Sequence, residues 1–125
     1  MGYLIVFLGA GIGGVLRQLI NVAAAELGGA MPVGTLAINV VGSFAMGVIT
    51  EYFARHGGLR PQVRLFLTTG VLGGFTTFSA FSLEAVLLYE RGELAAAAGY
   101  VVGSVALSIG ALVAALALVR TLMRK

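Results

Sequence analysis

Few residues in this sequence can do chemistry, and most of those that can are neutral. Cysteine and aspartate are absent and His56 is the only histidine, so disulfides, thiolate zinc sites, cysteine nucleophiles and most carboxylate or imidazole metal clusters are excluded. No nucleophile–base pair stands out, which leaves no basis for an enzyme. What does stand out is polar residues in apolar surroundings: Arg17, Gln18 and Asn21; Asn39 with Ser43; the run Gly70-Val71-Leu72-Gly73-Gly74-Phe75-Thr76-Thr77-Phe78-Ser79-Ala80-Phe81-Ser82; and Tyr100, Ser104 and Ser108. An amide side chain carries two N–H donors and an acceptor, so Asn39 can hydrogen-bond an anion, a water or a neighbouring backbone. Tyr100, Ser104 and Ser108 are spaced four apart, a ladder of hydroxyls along one helix face. Phe78 and Phe81, three apart, share a face beside Ser79 and Ser82.

The elements that must position these residues are membrane spans. Of 125 residues, 59% are hydrophobic and 10% charged, where a soluble domain carries about 25% charge. Four apolar segments, 3–25, 33–53, 63–88 and 94–119, each exceed the ~20 residues that cross a bilayer as a helix. The breaks are short and carry turn or charge signals: Gly28-Gly29-Ala30-Met31-Pro32, Arg55-His56-Gly57-Gly58-Leu59-Arg60-Pro61 and Glu90-Arg91-Gly92-Glu93. The expectation is an all-α membrane protein, one four-span domain over residues 1–125. The first segment has no basic residue before Arg17, so it reads as a retained span and not a cleaved signal peptide. Arg55, Arg60, Arg64, Arg120, Arg124 and Lys125 lie on one side of such a topology, Arg91 and at most Arg17 on the other. Both termini are therefore expected in the cytoplasm, and the basic charge marks membrane topology, not nucleic-acid binding.

Glycine is abundant, with 19 copies. Gly9 and Gly13, and Gly99 and Gly103, are Gly-x-x-x-Gly pairs suited to close helix packing. Gly9, Gly11 and Gly14 also match the dinucleotide fingerprint G-x-G-x-x-G, but no strand–helix–strand unit surrounds them, so the match is discarded. Polar groups inside a span are costly, and each is a functional candidate. Arg17 either snorkels to the interface or draws anions inward. In the third span, paired glycines, paired threonines and serines within Gly70 to Ser82 predict a helix broken near the middle of the membrane. Unwound backbone at that depth needs protein, water or an ion to satisfy it, so a buried ion site or polar cavity is expected there.

The segments Gly13-Gly14-Val15-Leu16-Arg17, Asn39-Val40-Val41-Gly42-Ser43-Phe44 and, above all, Gly73 to Ser82 resemble the CrcB/Fluc family of fluoride channels, and the likeness spans all four segments. The resemblance implies an antiparallel dimer whose two broken third helices cross at the centre and hold a structural Na⁺ through backbone carbonyls, here those of Gly73 and Thr76. It implies two pores, each lined from both subunits by Asn39, Phe78, Phe81, Ser79, Tyr100, Ser104 and Ser108, with Arg17 in a vestibule, and passive export of fluoride across the plasma membrane. The role of Glu84, which follows the motif, stays open. Fluoride holds its water strongly, so a pore must offer donors in exchange, and the positive edge of an aromatic ring can join them. Dual-topology homodimers tend to balanced charge, and this chain is biased. Either the bias is tolerated, or the chain pairs with an oppositely oriented homologue. The rival reading, a proton-coupled multidrug or guanidinium exporter, needs a carboxylate in the first span, where only Glu26 stands, at the far end. A purely structural subunit would explain the glycines but not the aligned Asn39, phenylalanines and hydroxyls.

Overall fold

A computed structural model describes residues 1–28, 32–58 and 60–124. Gly29, Ala30, Met31, Leu59 and Lys125, named above in the breaks and the charge count, lie outside the described residues. Among the described residues the chain is entirely helical, with four helical segments long and apolar enough to cross a membrane. Helix α1 is Gly2–Ala25 and α2 is Val33–Arg55. The third segment divides in two. Its first half, α3, winds as Pro61–Leu65, then as a π-helical stretch Phe66–Leu72, then as one ordinary turn Gly73–Phe75. Its second half, α4, is Ser79–Glu90, and α5 is Leu94–Leu122.

Local chemistry sets these limits. Pro61 opens α3 at the first helical position, where its missing N–H costs nothing. Gly92, at φ +81°, closes α4: its N–H reaches the Tyr89 carbonyl while the Glu93 N–H reaches Leu88. That pair of bonds is the Schellman closure, and it turns the chain straight into α5.

Packing follows the small residues. A Cβ at Gly9 would stand 2.8 Å from the Gly70 Cα, so α1 and α3 meet backbone to backbone. Gly13 faces the Val71 carbonyl and the Phe75 nitrogen, and Gly74 faces the Ala10 carbonyl. Helix α2 lies along α5, where a Cβ at Gly47 would come within 2.8 Å of Ala115. Near the ends of that pair Glu51 accepts from Arg120 and lies 3.8 Å from Arg55. Between α4 and α5 the core is Phe81, Leu88, Ala97 and Tyr100.

The break expected within Gly70 to Ser82 is present: Gly73 and Gly74 still lie in a helical turn, and the chain opens at Thr76, with φ −83° and ψ 158°. Close packing against Ala10 outweighs the helix cost of about 1 kcal/mol for a glycine. Gly99 and Gly103 share the spacing of Gly9 and Gly13 but meet no atom within 4 Å of a Cβ among the described residues of the subunit. Gly13→Ala is expected to lower stability in detergent by about 1–3 kcal/mol through overpacking, whereas Gly11→Ala, in open space, should be neutral or mildly stabilising. Thermal unfolding of the two purified variants checks the contrast, and equal melting would remove the close-contact account.

Candidate functional site

The site is built at the opening between α3 and α4. In a continuous helix the Thr77 N–H would bond the Gly73 carbonyl, and the Ala80 N–H that of Thr76. Here both donors are diverted. The Thr77 N–H donates to Asn39 Oδ1 at 3.0 Å, and Asn39 Nδ2 donates back to the Thr77 carbonyl, also at 3.0 Å. The Ala80 N–H donates to Thr77 Oγ1 at 3.2 Å, so this hydroxyl caps the start of α4. Thr76 turns inward as well, its N–H and hydroxyl both donating to the Leu72 carbonyl. The carbonyls of Gly73 and Thr76 thereby lose their usual helical partners. Among the described residues no three acidic, histidine or cysteine side chains gather to hold a metal. These main-chain oxygens, hard donors suited to an alkali or alkaline-earth cation, are the chemistry present for one.

Beside the opening lies a groove of about 390 Å³, open along one side. Asn39, Gly42 and Ser43 of α2 form one wall, Gly73, Thr76, Thr77 and Phe78 the floor, and Phe81 of α4 with Ser104 and Ser108 of α5 the other wall. No carboxylate lines it. Gly42 matters here: a side chain at that position would run into the Thr76 methyl group. The Ser104 hydroxyl is buried and has no hydrogen-bond partner among the described residues, a state that costs free energy and calls for an explanation.

The aromatic residues form a short series. Phe78 is 77% exposed at the open side and Phe81 only 8%. Their ring centroids are 5.5 Å apart, and Phe81 in turn lies 5.2 Å from Tyr100. The structure thus gathers Asn39, Phe78, Phe81, Ser104, Ser108, Gly73 and Thr76 on one groove. It sets three candidates apart from the lining. Tyr100 is buried in the core and its hydroxyl donates to Glu84 Oε1 at 3.1 Å. Ser79 lies 3.4 Å from the Thr77 hydroxyl, and Arg17 sits half-buried on α1.

Two residues of consequence escaped sequence reasoning. Thr77 pairs with Asn39 across 38 positions; its one advance signal was a residue type that favours helix starts. Glu84, left without a role, is the sole carboxylate inside the segment 63–88. That isolation was the available sign that a buried partner, Tyr100, existed for it.

Comparison with known proteins agrees with this geometry. Residues 4–116 match the family model described as CrcB-like protein, Camphor Resistance (CrcB). The chain is 62% identical over 125 residues to a protein of Granulibacter bethesdensis named fluoride-specific ion channel FluC, covering 99% of this chain and 98% of that protein. A protein of the same name from Methylobacterium nodulans is 62% identical over 117 residues, 94% of each chain. One from Agrobacterium fabrum is 52% identical over 115 residues, 91% of this chain and 92% of that protein. A family match over nearly the whole chain, and identities this high across four spans and the broken third segment, establish that this protein belongs to the CrcB family.

Proposed function

We propose that the chain is one subunit of a fluoride-selective channel that lets the ion leave the cytoplasm down its electrochemical gradient. The observation that carries this reading is the groove itself: a cleft among the apolar spans, walled by neutral donors and aromatic rings, with no carboxylate among its described lining residues. The shared name of its relatives, fluoride-specific ion channel FluC, points the same way. A proton-coupled exporter is not favoured, because neither the groove nor α1 presents a membrane-embedded carboxylate.

Fluoride crossing the membrane must exchange its water shell for protein donors. Asn39 keeps one N–H beyond the bond to Thr77. Ser104 brings an unpartnered hydroxyl, and Ser108 follows one turn on. Phe78 and Phe81 offer ring edges, which carry the positive end of the aromatic quadrupole. Tyr100 continues this track at the level of Glu84, Ser79 supports the Thr77 hydroxyl, and Arg17 draws anions to a vestibule. No single site in this set is tight enough to trap the ion, as conduction requires.

The groove is open on one side and Phe78 is exposed there, so a second subunit supplies the missing wall. In an antiparallel dimer two such grooves give two pores, and the Gly73 and Thr76 carbonyls of both subunits meet at the centre. A structural Na⁺ fits that donor set: when bound it supplies positive charge to carbonyl oxygens whose N–H partners are engaged elsewhere. The chain is a single four-span domain of the plasma membrane, with the arginine-rich end cytoplasmic. The partner is a second copy or an oppositely oriented homologue; fusion of a reporter to each terminus separates these, since one fixed orientation disfavours the homodimer.

Reconstituted in liposomes, the protein should release fluoride rapidly to an electrode and retain chloride; equal leakage of both would end the assignment. Phe78→Ile and Phe81→Ile should each abolish fluoride efflux while eluting at the wild-type size, and undiminished flux in both would remove ring-edge coordination. Exhaustive replacement of Na⁺ by a large organic cation during purification should lower flux by at least tenfold, restored by adding Na⁺ back. Full activity in its absence would reject the structural ion.

A further inference from the structure

A second cavity, of about 480 Å³, lies apart from the groove, between the last turns of α2 and the start of α3. Its base is apolar, formed by Met46, Ile49 and Phe53, and its polar lining includes Arg64, Thr50 and Thr69. Thr68 is already committed, its hydroxyl donating to the Arg64 carbonyl at 2.8 Å. No intrachain hydrogen bond engages the hydroxyls of Thr50 and Thr69 among the described residues.

The charge around this cavity is lopsided. Arg55, Arg60, Arg64, Arg120 and Arg124 lie at this end of the bundle, and Glu51 is the acid beside them. Glu51 is engaged by Arg120 and lies near Arg55, between α2 and α5. Arg64 is exposed and enters no ion pair among the described residues, although it borders a half-open cavity that is partly apolar. A soluble anion would gain little from Met46, Ile49 and Phe53. A molecule with an anionic head and an aliphatic tail would use both halves. Basic pockets between spans on the cytoplasmic side take anionic lipid headgroups for that reason.

We propose that this cavity binds an anionic phospholipid, with the headgroup phosphate against Arg64 and the Thr50 and Thr69 hydroxyls and the upper acyl chain on Met46, Ile49 and Phe53. A zwitterionic lipid offers the same phosphate but sets an ammonium group against the surrounding arginines, so it binds more weakly. The site shares only Met46 with the groove, and it stands or falls independently of the ion that the groove carries.

The test is native mass spectrometry of the full chain, assembled as purified, titrated with phosphatidylglycerol, with phosphatidylcholine of the same acyl chains, or with inorganic phosphate. Phosphatidylglycerol should bind at least fivefold tighter than phosphatidylcholine. Arg64→Gln should weaken it by about fivefold, the effect of one arginine at an anionic surface, and Thr50→Val with Thr69→Val should weaken it further. Arg124→Gln, which removes the same charge elsewhere, should change affinity less than twofold. If Arg64→Gln fails to elute as wild type, the paired threonine variant decides alone. Equal binding of the two lipids, equal losses at Arg64 and Arg124, or unaltered affinity in the threonine variant would overturn the proposal. Displacement of the lipid by inorganic phosphate would overturn it too, by making the site one for a free anion.

Discussion

A peptide group that leaves a helix inside a bilayer finds no water to replace its partner, and in this chain a single asparagine answers that need. The Asn39 amide bonds both the N–H and the carbonyl of Thr77, as a neighbouring strand would. Uncompensated, each of those groups would cost several kcal/mol in hydrocarbon. With them satisfied, the third segment can open at Thr76 and restart at Ser79 under the Thr77 cap. The groove, the displaced Phe78 ring and the two released carbonyls all follow from that exchange of partners. Gly42, next to Asn39 by one helical turn, has to be small as well, since the Thr76 methyl group lies directly over it.

Rigid support comes from elsewhere. Lipid tails provide no hydrophobic drive for helix association, so the halves are held by contact at short range. Gly9, Gly13 and Gly74 fix α1 on α3, Gly47 fixes α2 on α5, and the Glu51 pairing with Arg120 closes the latter contact near its polar end. The consequence is a division of labour. Helix α1 contributes no lining to the groove; it braces the segment whose opening creates it. Helices α2 and α5 carry the donors and are tied to one another.

Much of this was legible from residue types alone, and the failures are instructive. Four spans were visible because apolar runs of that length have few other uses. A break was visible because Thr-Thr-Phe-Ser is poor material for a helix facing lipid. Which residue of that run opens was not legible, because the helix cost of Gly73 and Gly74 is local while the packing of Gly74 on Ala10 is tertiary. Spacing placed Gly99 with Gly103 on one face, as it did Gly9 with Gly13, but periodicity does not say which way a face points. Asn39 was recognised as too deep to be idle, yet its partner is 38 residues away. The hydroxyl ladder has the register expected of it, but Tyr100 directs its hydroxyl to Glu84, a pairing that needs two helices in place before it can be seen.

The widened coil from Phe66 to Leu72 has a further bearing on the same region. There the Gly73 N–H reaches back to Thr68 as well as Gly70, so the stretch stores one residue more than ordinary winding would. Each residue rotates an α-helix by ~100°. Drawing that surplus out into a regular coil would therefore swing Gly74 away from Ala10. The bulge acts as a register setter. It sets the register in which Gly70 and Gly74 meet Gly9 and Ala10 of α1 while Gly73 and Thr76 border the groove.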